Sequence, residues 1–163
     1  MDAAEGGEKM RPLLVPTSPG QVLDRITILQ IKAEKTIGLP AHVTVLGELT
    51  ELLKCWKAAV PLSPQLTVLE EGLRRVNAEL WEVEDRLRLY EARSEFGADF
   101  VETARSVYKL NDARFRLKCS VDNLLRCSFS ETKVYLSGKS SPSFDSAAFP
   151  DVSLTPQPDP LKG

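Results

Sequence analysis

The chain has 163 residues, with 42% apolar and 27% charged residues and a formal net charge of −2. That length suits one domain that buries its core without metal or disulfide staples. A near-neutral balance supplies no basic stripe for nucleic acid and no attraction to an anionic membrane surface, and the short apolar runs exclude a bilayer span.

Residues 1–17 read as a disordered leader. Met1–Lys9 is acidic and lacks the basic-then-apolar order of a secretory signal, which points to the cytoplasm. Ser18 is a helix N-cap, with Pro19 at the first helical position and Gln21 where a capping-box partner belongs. The first helix then runs through Val22, Leu23, Ile26, Ile28, Leu29 and Ile31 until Gly38 and Pro40 end it.

A second helix spans about Ala41 to Val60, with Val45, Leu46, Leu49, Leu52, Leu53, Trp56 and Val60 on its inner face. Pro61 stops it. Ser63-Pro64 repeats the capped start and opens a third helix, about Pro64 to Arg93. There Leu66, Leu69, Leu73, Val76, Leu80, Val83, Leu87 and Tyr90 recur at alternating spacings of three and four. This heptad seam predicts a long amphipathic helix whose narrow stripe other helices must cover.

Phe96-Gly97 is a stop signal, and Asp99 begins a fourth helix that reaches about Arg126. Its apolar face reads as Phe100, Ala104, Tyr108 and Phe115, then drifts to Leu117, Val121 and Leu124. The drift predicts a bend or a change of partner near Asn111. Short connections favour antiparallel neighbours. The expected fold is therefore all-α: an antiparallel bundle of four main helices over residues 18–136, two shorter and two long. Thr132–Leu136 is a candidate extended segment, and residues 137–163 are a Ser/Pro-rich tail expected to be disordered.

No catalytic constellation is evident. His42 is the one histidine, so a metal site or a nucleophile–base pair built on histidine must run through it; an exposed turn residue is the simpler reading. Cys55, Cys119 and Cys127 read as small buried hydrophobes. Glu79, Glu82 and Asp85 follow at spacing three, as in helical enzymes that hold magnesium, but the only similar pair on the fourth helix is Asp99 and Glu102. A solvated face alternating with Arg74, Arg75, Arg86 and Arg88 explains them better. No metal and no cofactor is expected.

A mixed polar stripe carries more information. Asp24 and Lys32 lie on the first helix; Asn77, Trp81, Glu84, Asp85 and Arg88 lie on the third, off the seam; Asn111 and Asp112 lie on the fourth. A polar group buried without a partner costs about 1–3 kcal/mol. The stripe is therefore either a paired layer that fixes helix register, which is favoured, or the lining of a ligand or peptide pocket.

The blocks SPGQVLDRITILQIKAEK (Ser18–Lys35), VNAELWEVED (Val76–Asp85), FVETARSVYKLNDARFRLK (Phe100–Lys118) and ETKVY (Glu131–Tyr135) resemble DUF6165, a family of small uncharacterised proteins. The resemblance implies a compact helical domain and a role near glycan synthesis, with no established activity, substrate or cofactor. It maps onto Asp24, Lys32, Asn77, Trp81, Glu84, Asp85, Tyr108, Asn111 and Asp112. Gln21 and Gln30 depart from it where acidic residues are expected, and the Pro-rich tail has no counterpart. The expected function is a non-enzymatic helical module that binds a protein partner, with a second copy of the chain as one candidate. The alternative is a small ligand-binding domain or enzyme for a phosphorylated or sugar-linked metabolite.

Overall fold

A computed structural model describes residues 14–128. The expectations for residues 1–13, for Thr132–Leu136 and for the tail lie outside them. Within the described residues the fold is an all-α helical bundle: α1 (Pro19–Lys35), α2 (Ala41–Ala59), α3 (Pro64–Arg93) and α4 (Ala98–Leu124).

Both Ser-Pro starts form as expected. Ser18 Oγ accepts from the Gln21 N–H at 3.3 Å, and Ser63 Oγ accepts from the Leu66 N–H at 3.1 Å. Each satisfies a backbone donor that the first helical turn leaves unpaired. Ser63→Ala is expected to lower stability by about 1 kcal/mol, read as a shift of the urea midpoint; an unchanged midpoint would show that α3 is fixed by packing alone.

The residues that stop two helices differ from expectation. The first helix ends at Lys35, with Thr36 as C-cap, and Gly38 takes φ +80 in the turn that follows. The third helix ends at Arg93 as expected, with Ser94 left-handed at φ 55 as its C-cap, while Gly97 serves as N-cap of α4. The turn residue that halts α3 is thus a serine rather than the glycine.

Helix α1 is central and buried on two faces. Leu23 joins Leu66, Leu73, Val76 and Leu80 of α3 and Leu117 and Val121 of α4 in the main core. Ile26 and Leu29 turn the other way and form a second cluster with Leu49 of α2. The backbone of α2 approaches α1 alone. Leu49 is its one buried residue, although Trp56 also reaches the main core. The heptad seam of α3 is buried at Leu66, Leu73, Val76, Leu80 and Val83 and half-covered at Leu69 and, beyond Val83, at Leu87 and Tyr90. The α1 helix ends beside that point, since Lys35 Nζ donates to Glu82 Oε1 at 2.6 Å. From residue 84 to residue 116 no residue is fully buried: the tip of the α3–α4 hairpin extends past the end of α1, and α4 from Val107 to Phe115 is at most half-buried.

The face of α4 corrects the sequence reading. Its core-facing row is Val107, Leu110, Leu117, Val121 and Leu125. Tyr108 is 57% exposed. The large aromatics suggested a face roughly one residue out of register, and the apparent drift came from that choice. A change of surroundings does occur along the helix. Phe100, near its start, packs edge-on against Phe96 and Tyr90, with ring centroids 5.3 Å and 6.3 Å away, whereas its last turns meet α1.

Candidate functional site

Where α1, α3 and α4 meet, four polar side chains join in one network. Asp24 is 4% exposed, next to Leu23 and one turn beyond Gly20 in α1. Its Oδ1 accepts from Asn77 Nδ2 and from Arg114 Nε, each at 2.9 Å, and its Oδ2 accepts from Arg114 Nη2 at 2.9 Å. Asn77 Nδ2 also donates to Thr27 Oγ1 at 2.9 Å, and that hydroxyl donates to the Asp24 carbonyl at 2.8 Å. The bidentate guanidinium–carboxylate geometry is the strong form of an ion pair, short and doubly hydrogen-bonded. Its two ends differ: the Asp24 side chain is 5% exposed and the Arg114 side chain 28%.

The expected stripe is only partly assembled. Asp24 and Asn77 are brought together in the core. Asn111 stands at the edge of the network, where its Oδ1 is a distant acceptor from Arg114 Nη1 at 3.5 Å and its Nδ2 donates to the Val107 carbonyl at 3.0 Å. Trp81 is half-buried, with Lys35 Nζ 5.9 Å from its ring centroid. Hydrogen bonding to Glu82, ahead of the opposing effect of desolvation, raises the Lys35 pKa. Glu84 and Asp85 lie outside the network: both are exposed and accept from Arg88 at 3.3 Å and 3.2 Å. Tyr108 is exposed as well, and Asp112 is half-buried. The stripe leaves the core along α3 because α1 ends at Lys35, and among the described residues only α4 packs on α3 further on.

Arg114 and Thr27 were not expected. The signal for Arg114 is present in the sequence: Val107, Leu110, Arg114, Leu117 and Val121 follow the alternating spacing of three and four, so a cation occupies a seam position. Choosing the aromatic face hid it.

A second buried contact lies at the start of α1. Asp122 is 2% exposed, and its Oδ1 accepts from the Gly20 N–H at 2.6 Å. The carboxylate thus sits at the positive end of the α1 macrodipole. Its Oδ2 is buried with no hydrogen-bond partner among the described residues. A Cβ on Gly20 would fall on the Lys118 carbonyl oxygen and 2.9 Å from Asp122 Oδ1, so this crossing requires glycine.

The remaining candidates resolve differently. His42 is half-buried rather than exposed, with Nδ1 3.2 Å from Thr36 Oγ1 across the α1–α2 turn. Cys55 is exposed, against the expectation of burial, because α2 has only one covered face; Cys119 and Cys127 are half-buried. Glu79, Glu82 and Glu102 line an open groove of about 660 Å³ between α3 and α4, interleaved with Arg75, Arg86 and Lys109. Among the described residues no group of acidic, histidine or cysteine side chains is placed to hold a metal ion, and no helix is long and apolar enough to cross a membrane.

Asp24, Lys32 and Arg114 do reach one water-accessible feature. It is a groove of about 450 Å³ along α1, walled also by Arg25, Ile28 and Leu52. The geometry therefore supports a self-paired polar layer with one cationic edge open to solvent.

Comparison with curated proteins and with solved structures gave no match. The model of a family of unknown function, DUF6165, matches residues 13–155. The match runs well past Tyr135, which corrects the expectation that the Ser/Pro-rich segment has no counterpart in the family. This protein belongs to DUF6165.

Proposed function

We propose that this protein is a helical interaction module of the cytoplasm, which binds a protein partner through the outer face of α2. The observation that carries this reading is the apolar character of α2 on two sides. Val45, Leu52, Leu53 and Trp56 pack inward on α1. Val43 and Leu46, three apart on α2, are 77% and 41% exposed, and Leu39, just before the helix, is 55% exposed. Ile37, in the preceding turn, is 73% exposed. Aliphatic anchors at helical spacing are what a partner groove takes up from an amphipathic helix. A contiguous exposed apolar patch on a small domain marks an interaction surface. The self-pairing of Asp24, Asn77 and Arg114 supports the same reading, because it commits the buried carboxylate to holding helices together.

The test is affinity purification of the native chain beside a Val43→Glu/Leu46→Glu variant. Neither residue supports the core, so the variant should keep its unfolding free energy within about 0.5 kcal/mol while losing the co-purifying chain. Light scattering on the same pair of proteins identifies a second copy as that partner. An identical set of co-purifying chains and an identical mass for both proteins would overturn the proposal.

A further inference from the structure

We propose that the groove along α1 is a binding site for an organic phosphate monoester, with Lys32 and Arg114 holding the phosphate and an apolar floor receiving its body. The inference is independent of the α2 surface and rests on different residues.

Three cations, Arg25, Lys32 and Arg114, line the groove against a single carboxylate, Asp24, in a chain whose overall balance is acidic. The carboxylate is spent. Both of its oxygens accept hydrogen bonds, three in all, from Asn77 and Arg114. Asp24 therefore acts as a positioning residue for Arg114 rather than as a competitor for an anion. Its two bonds take Nε and Nη2 and fix the plane of the guanidinium. Among the described residues Nη1 has only the 3.5 Å contact to Asn111. An arginine held on one edge by a buried carboxylate offers its other donors with little further ordering cost, and guanidinium is the group that matches phosphate oxygens in pairs.

Lys32 is the second arm. It is exposed, lies two helical turns along α1 from Asp24, and its ammonium group makes no hydrogen bond or ion pair among the described residues. The third cation, Arg25, is already engaged with Glu48 of α2, its Nε donating at 2.7 Å. Among the described residues the one unpaired positive charge of the groove is therefore on Lys32, and Arg114 adds the guanidinium donors that Asp24 does not take. Val22, Ile28, Leu29 and Leu52 make up much of the remaining lining. A volume of about 450 Å³ falls within the range of small-molecule sites. A bare inorganic ion would leave that apolar floor wet, whereas a ligand with an apolar body attached to the phosphate would cover it. No reaction is implied: the one carboxylate of the lining, Asp24, is committed to Asn77 and Arg114.

The experiment is a titration of the full, isotope-labelled chain with phenyl phosphate at constant ionic strength, followed by backbone amide and arginine Nε resonances. Benzyl alcohol, inorganic phosphate and phenylacetate serve as the separate arms. Phenyl phosphate should shift the amides of Gln21, Arg25, Ile28 and Lys32 together with the Arg114 Nε resonance. Inorganic phosphate and phenylacetate should bind the same place more weakly, and benzyl alcohol should leave Arg114 unmoved. Lys32→Glu should weaken phenyl phosphate by about tenfold or more, the loss of one charge-assisted contact, with an unchanged melting temperature, and Lys32→Arg should restore it. Equal affinity in Lys32→Glu, shifts scattered over lysines elsewhere on the surface, phenylacetate binding as tightly as phenyl phosphate, or no shifts along α1 would each overturn the assignment.

Discussion

Arg114→Ala is expected to destabilise the domain by about 3–5 kcal/mol, the range for removing one partner of a buried ion pair. The cost arises on the other side of the pair. Asp24, with a side chain 5% exposed, loses its guanidinium and retains only the Asn77 donor for its carboxyl group. The converse substitution is milder. Asp24→Ala leaves a guanidinium that is already 28% exposed and can take water, and Asn77 still donates to Thr27. A loss of about 2 kcal/mol is expected there. Arg114→Lys, which keeps the charge and gives up the two-pronged geometry, should fall between the native chain and Arg114→Ala. Urea unfolding of the four proteins, with the denaturant dependence checked for constancy, reads the order directly. Equal losses for Asp24→Ala and Arg114→Ala would show that the asymmetry of burial does not govern the pair.

Gly20→Ala should cost about 3 kcal/mol, combining overpacking with the loss of a hydrogen bond to a buried carboxylate. The added methyl meets the Lys118 backbone, which cannot swing aside as a side chain would, so α1 must move off α4. Moving it also breaks the 2.6 Å bond from the Gly20 N–H to Asp122. Gly47→Ala is the matched control. Nothing lies within 4 Å of its added carbon, and the position is inside α2. Removing a helix-interior glycine there should stabilise by about 0.5–1 kcal/mol. Opposite signs from the same chemical change would locate the effect in the α1–α4 crossing. If both variants melt at the native temperature, α1 does not approach α4 as closely as its backbone indicates.

Most of the fold was legible in local chemistry, and most of the site was not. The two Ser-Pro caps and the uninterrupted seam of α3 announce helices whose starts and length depend on neighbours within a turn or two. The polar stripe was visible as a set of hydrophilic residues in unusual positions. Which of them pair could not be read from one helix at a time. Asp24 finds its partners 53 and 90 residues away in the chain. Asn77 is buried and Asp85, only two turns further along the same helix, is exposed, because burial is decided by where α1 stops.

The sequence by itself determined an all-α chain, the starts of α1 and α3, and the row of α3 that seeks cover, since these follow from capping donors and from a repeat matched to the helical turn. Only the tertiary structure decided that Arg114 rather than Tyr108 faces inward on α4, that α2 leans on α1 alone, and that Gly20 brings two backbones together. Those outcomes depend on which surfaces meet across distant segments. A helix offers several partly apolar faces, and the one that is buried is chosen by the fit of its neighbours and by the need of a buried carboxylate for a cation.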